Sequence, residues 1–284
     1  MVKGFCKRKK YKGMMRLIPN ALLLLIVFFL MIPFIWMITI SLRNPMDAYR
    51  LPFTIFPDSF DLSSYLALRE SKANIPNLYM NSLISSAAIV LAQLVTCPLA
   101  GYAFARLRFK GRTLLFNLFL ISLMIPRQSI IIPMYVVMSR LKLTNTLLSL
   151  ILPSVCNAFG VFLFRQSFAA ISRSYEDAAY IDGAGIFRAY WQIMLPQVKP
   201  TLVTLIILTF TSAWNMYFEP LIFLTNIEKM TLPLGLVYLK GYMGAGNLSV
   251  VMAAVALAIV PVVIIFFLCQ SYIVEGLTSG GIKE

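Results

Sequence analysis

Eleven carboxylates share this 284-residue chain with 25 lysines and arginines and no histidine, so the acidic residues that stand close together limit what chemistry is available. Glu176, Asp177 and Asp182 fall in one short polar stretch together with Ala178, Ala179 and Gly183. Elsewhere two isolated charges, Arg127 and Glu219, stand well inside apolar runs, the latter near Trp214, Asn215 and Tyr217. An enzyme buried in such surroundings needs clustered acids, bases or metal ligands. The absence of histidine removes both the commonest general base and the commonest metal ligand. The cysteines at 6, 97, 156 and 269 are far apart and form no C-x-x-C pair, so neither a disulfide framework nor a zinc site is indicated. No G-x-x-x-x-G-K-[ST] phosphate loop occurs, and the glycine-rich stretches at 183–185 and 241–246 lack the lysine that would reach a nucleotide. The remaining chemistry is that of recognition: charge and small side chains for docking at 176–183, hydrogen bonds and aromatic faces at 214–219.

The elements that must position these residues are membrane helices. Sixty per cent of the residues are hydrophobic and 13% charged, outside the balance of soluble domains. A span needs about 20 apolar residues to cross roughly 30 Å of hydrocarbon. Six runs qualify, Leu17–Leu42, Leu78–Ala105, Thr113–Met138, Leu147–Phe168, Thr201–Thr225 and Leu248–Ile273, which makes the expected fold an all-α integral membrane bundle of six transmembrane helices. The first run exceeds a cleavable apolar region and reads as an anchor. The net charge of +14 comes from short basic clusters between the runs, so it sets orientation and does not indicate nucleic acid. With both termini cytoplasmic, sixteen lysines and arginines lie inside and eight outside, the arrangement the positive-inside rule selects. Prolines at 33, 98, 126, 133, 153, 220 and 261 are expected to bend their helices. Such bends suit a transport bundle and are also common in membrane helices for structural reasons alone.

Residues 169–199 form the one long cytoplasmic connection and read as two short helices. Ser174 followed by Asp177 fits a capping box, and Glu176 and Asp177 put negative charge at the helix's positive end, so a helix should begin near Tyr175. Tyr175, Ala178 and Ala179 share a face that another protein can approach closely. Gly183 permits the left-handed conformation that ends the helix, and Gly185 loosens the turn after it. A second amphipathic helix follows, with Ile186, Phe187, Tyr190, Trp191 and Met194 on the side expected to pack on the bundle, and Pro196 as its stop. On physics alone, an interfacial amphipathic pair and a docking element are equally open.

The residue identities separate these readings. Glu176-Asp177-Ala178-Ala179, Asp182-Gly183-Ala184 and Leu195-Pro196 resemble the EAA signature of importer permeases of the ATP-binding-cassette superfamily, with Asp177 standing where glutamate is usual. Asn81-Ser82, Gly101-Tyr102-Ala103-Phe104-Ala105-Arg106, Asn145-Thr146 and Val274-Glu275-Gly276-Leu277-Thr278-Ser279-Gly280-Gly281 are similar to the carbohydrate-uptake branch, in particular the second permease subunit of the maltose transporter and its relatives. The likeness runs from about Ser41 to the end of the chain. It implies a basic amino terminus, first helix and outer loop over 1–77, a transmembrane domain over 78–273 with its coupling helix in 169–199, and a cytoplasmic tail over 274–284, of which residues 275–284 either reach into the ATPases as in that subunit or form a frayed terminus.

The resemblance further implies a bacterial inner-membrane permease subunit with no cofactor of its own. Its partners would be a second permease, two ATPase subunits that use ATP and magnesium, and an extracytoplasmic sugar-binding protein. Glu176, Asp177, Ala178, Ala179, Asp182 and Gly183 would couple to the ATPase, and the cargo would be a sugar or oligosaccharide. A permease for an amino acid, peptide or other small solute is the alternative within the class. Asn215, Glu219, Trp214 and Tyr217 are expected to line the substrate cavity. Arg127, which departs from the family pattern, either lines it too or pairs with Glu219. The outer segment 43–77 is either a docking surface for the binding protein or a plain connection.

Overall fold

The computed structural model describes residues 3–44, 46, 60–71, 74–241 and 246–279, with side chains described over 19–270 within those ranges. Every regular element among them is helical. The chain forms two compact units, one of Met1–Glu70 with Leu239–Leu257 and the other of Ser71–Tyr238 with Ala258–Glu284.

In the first unit, α1 (Lys3–Ser41) is apolar from Pro19 onward and presents an almost continuous run of exposed leucine, isoleucine and phenylalanine side chains. Such an all-round apolar helix is stable in lipid, where hydrocarbon takes the place of a protein core. Its end is stitched to α2 (Ser63–Glu70): the hydroxyls of Ser41 and Tyr65 lie 2.9 Å apart, and Asn44 Nδ2 donates to Asp61 Oδ2 at 3.0 Å. Asp61 Oδ1 accepts from the Ser63 backbone N–H at 2.7 Å, satisfying one of the free donors at the start of α2. That bond, with further help from Asn44, holds the Asp61 carboxyl below the usual carboxylate range.

The second unit is organised on α3 (Ile75–Arg106), whose 32 residues extend about 48 Å at 1.5 Å each. Against it lie α4 (Arg112–Ser122), α6 (Leu148–Ile151), α7 (Ala158–Ala170) and, later, α11 (Lys199–Trp214), while α5 (Ile131–Arg140) continues from the 3₁₀ turn before it. Helices α3 and α7 approach closely because two glycines face them: a Cβ on Gly101 would collide with the Phe164 Cβ, and one on Gly160 would come within 2.8 Å of Cys97 Sγ. The core around this contact contains Tyr102, Phe104, Phe164, Phe168, Tyr190, Met194 and Leu205. Arg165 of α7 stacks its guanidinium 3.9 Å from the Phe116 ring of α4.

Among the described residues, four helices are long and apolar enough to cross a membrane, and the number rises to six if each of two bent pairs counts as one span. The third expected run is one of these pairs: α4 and the stretch Arg127–Arg140, a 3₁₀ turn leading into α5, meet at 100°. Pro126 stands at the break, where it lacks an N–H and biases Ile125 away from helix. The other pair joins Ile186–Gln197 to α11 at 76°. Pro196 therefore does not stop the preceding helix; it occupies an early position of α10 (Leu195–Gln197), which needs no N–H, and the bend falls at Val198.

The fifth expected run is also shorter than its apolar composition suggests. α11 ends at Trp214, and Glu219 belongs to a separate short helix, α12 (Phe218–Phe223). α13 (Leu232–Lys240) and α14 (Leu248–Ser279) complete the chain. Pro33, Pro98 and Pro261 stay inside unbroken helices, so proline alone does not decide where the bundle breaks.

Candidate functional site

The polar stretch at 176–183 folds as α8 (Ser174–Ile181), followed by α9 (Ile186–Arg188) and a π-helical turn over Ala189–Met194. The expected capping box does not form. Arg173 is the N-cap and makes no side-chain cap, while the Ser172 hydroxyl takes the Ser174 N–H at 3.3 Å. Gly183 ends the helix with φ +80°, as its lack of a Cβ allows.

α8 divides its acidic residues between two faces. Glu176 is 5% exposed and turned inward, where its Oε1 accepts from the Tyr102 hydroxyl at 2.8 Å and its Oε2 lies 3.3 Å from Arg106 Nε. Arg106 also donates through Nη2 to the carbonyls of Phe168 and Ile171, which end α7. One arginine at the end of α3 thus ties α7 and α8 together. Ala179 is buried as well, so it does not share the open face expected of Tyr175 and Ala178. Asp177, Ala178, Asp182 and Gly183 face outward, flanked by exposed Tyr175, Tyr180 and Ile181.

The second helix is divided in the same manner. Tyr190 and Met194 are buried in the core, whereas Ile186, Phe187 and Trp191 are exposed, against the expectation that all five pack inward. The result is an apolar and acidic surface carried on a rigid mount.

A cavity of about 430 Å³ lies among α3, α7 and α11, within the range of roughly 300–1,000 Å³ that small-molecule sites occupy. Of the residues expected to line it, Arg127 does. Trp214 is instead 2% exposed with its indole N–H on the Ala258 carbonyl at 3.0 Å, and Asn215 spends its amide on the Thr211 carbonyl. Tyr217 is exposed and is not among the lining residues, and neither is Glu219. Glu219 pairs with Arg127 at 3.4 Å, the alternative that the sequence left open.

The polar lining comes from Gln93, Ser154, Asn157, Thr209 and Ser212. Gln93 donates to the Ser154 carbonyl and accepts from the Thr209 hydroxyl, both at 2.8 Å, so it joins α3 to α11 and to the turn after α6. A search for charged residues in apolar runs passes over this amide. The signal that finds it is a glutamine flanked by Leu91, Ala92, Leu94 and Val95.

Residues 98–279 match the family model described as binding-protein-dependent transport system inner membrane component. The chain belongs to that family. It is 34% identical to the arabinooligosaccharides transport system permease protein AraQ of Halalkalibacterium halodurans, over 91% of this chain and 93% of the relative. It is 31% identical to the trehalose/maltose transport system permease protein MalG of Thermococcus litoralis, over 94% and 96%. A chain from the crystal structure of a bacterial ABC transporter that imports the acidic polysaccharide alginate superposes with a TM-score of 0.78 at 27% identity, covering 90% of this chain and 95% of that one. This inner membrane component is therefore a multi-pass membrane protein related to permeases of sugar transporters.

Within this permease, the motifs that carried the resemblance act as clasps. Asn81 donates to the carbonyls of Glu228 and Met230, and Ser82 accepts from the Leu232 N–H, holding the turn before α13 against the start of α3. Asn145, at φ +58°, accepts the N–H groups of Thr225 and Asn226 and fixes the exit of α12. The tail expected over 274–284 lies outside the described side chains; the α14 backbone runs to Ser279.

Proposed function

We propose that this chain is one of two permease subunits of a binding-protein-dependent importer that carries a sugar or oligosaccharide across the bacterial inner membrane. The observation that carries the reading is the outward face of α8, where Asp177, Ala178, Asp182 and Gly183 are exposed while Glu176 is locked inward by Arg106 and Tyr102. A helix anchored by a buried ion pair passes on a push instead of absorbing it. An ATPase subunit seated on this face supplies the push, and the spans, six when each bent pair counts once, rock between inward-open and outward-open states. ATP and magnesium belong to the ATPase partners, and both termini lie in the cytoplasm. The cargoes of its relatives and of the similar solved importer, arabinooligosaccharides, trehalose or maltose, and alginate, support a saccharide.

The test is crosslinking of Ala178→Cys, in a chain whose native cysteines are replaced, to the ATPase subunit of the assembled importer. A crosslink whose yield changes with ATP is expected. No crosslink in an intact, ATPase-containing complex would reduce α8 to an interfacial helix.

A further inference from the structure

We infer that the cavity beside Arg127 selects an acidic saccharide and that the Arg127 guanidinium takes its carboxylate; this rests on the saccharide reading above. Arg127 is the one charged residue among the described residues that line the cavity. It opens the 3₁₀ turn at the break of a bent pair, and its side chain is 49% exposed against 15% for Glu219. Glu219 is the more buried partner and Arg127 the more accessible one.

Their one hydrogen bond, at 3.4 Å, occupies a single N–H of the five that an arginine offers. The remaining planar fork matches a second carboxylate in a bidentate fit, which sugar hydroxyls do not reproduce. A guanidinium at this depth is costly without such partners.

Two further features make the cavity rich in donors. Asn157 caps α7 with its Oδ1 on the Phe159 N–H, which leaves its amide NH₂ to donate, and both residues line the cavity. The positive end of a 13-residue helix therefore meets the cavity wall. α11 also ends there, but Asn215 caps its Thr211 carbonyl with side chain and backbone alike. Thr209 gives its hydroxyl proton to Gln93, and Gln93 gives one of its two amide N–H groups to Ser154, so this pair chiefly shapes the wall while Arg127 and Asn157 offer the anion their donors.

The test uses the complete importer with its binding protein in proteoliposomes. Partial hydrolysates of pectin, alginate and xylan are each split by anion exchange into acidic and neutral fractions, and stimulation of ATP hydrolysis is measured for each. The acidic fractions should stimulate, carboxyl reduction should abolish the effect, and Arg127→Gln should lower the acid-to-neutral preference at least tenfold, while Arg127→Lys, which keeps the charge but loses the planar fork, should retain only part of it.

Stimulation by neutral fractions alone overturns the acidic cargo and leaves the saccharide reading standing. A response only to an amino-acid or peptide digest overturns both. An unchanged preference in Arg127→Gln places selection in the binding protein and overturns the role of this residue. Loss of subunit co-purification in both Arg127 variants makes it an assembly residue, with the same result.

Discussion

Glu176 and Asp177 are adjacent like charges with different duties, because successive side chains on a helix point about 100° apart. Glu176 turns into the bundle and closes an ion pair with Arg106, while Asp177 stays at the surface. Arg106→Ala leaves a buried carboxylate uncompensated and should cost on the order of 3–5 kcal/mol, read as a lowered Tm in detergent. Asp177→Asn should shift stability by no more than about 0.5 kcal/mol, since it removes an exposed charge, yet reduce binding-protein-stimulated ATP hydrolysis severalfold. If both variants lost stability equally, the division between an inward anchor and an outward contact would be wrong. The pair Glu176-Asp177 is legible in the sequence as charge at a helix start, but which of the two faces inward depends on Tyr102 and Arg106, some seventy positions away. Gln93 makes the same point for the cavity, since its amide carries no charge to draw notice and its partners Ser154 and Thr209 come from distant segments.

At the level of elements, the contact between α3 and α7 is set by the glycines that let their backbones meet. Gly101→Val should push Phe164 away and lower Tm by an amount corresponding to roughly 1–3 kcal/mol, as overpacking does, whereas the same change at Gly185, which faces open space, should not. Helix α2 offers a pH test outside the membrane. The Asp61 carboxyl is held low mainly by the Ser63 N–H, so its contribution to the start of α2 is present above the ordinary carboxylate pKa and lost as pH falls through the lowered folded value. Hydrogen exchange at the Ser63 amide should quicken in that acidic window beyond the intrinsic rate, and Asp61→Asn should remove the pH dependence. The helices themselves follow from apolar runs of spanning length, but the breaks do not follow from proline. Pro98 sits inside intact α3 and Pro126 at a 100° bend, because neighbouring packing decides whether the freed carbonyl is tolerated in place.

For the whole molecule, the proposed orientation, with both termini cytoplasmic, puts α8 on the cytoplasmic side and α2 outside, as the positive-inside rule expects. In right-side-out vesicles a membrane-impermeant thiol reagent should label Leu66→Cys and reach Ala178→Cys only after permeabilisation, each in a background free of native cysteines. The reverse pattern would invert the topology. Composition and run length by themselves determined that this is a helical membrane protein, because 60% hydrophobic residues in runs of about 20 have no other stable arrangement in water or lipid. Local spacing determined where α8 lies and where Gly183 ends it, since those are properties of a few consecutive residues. Only the tertiary structure decided that Arg127 pairs with Glu219, that Trp214 is buried, and that Gln93 and Asn157 line the cavity beside Arg127 while Asn215 and Tyr217 do not. Those outcomes depend on which helices meet and at what angle, and that is set by close packing between segments far apart in the chain, which no local pattern encodes.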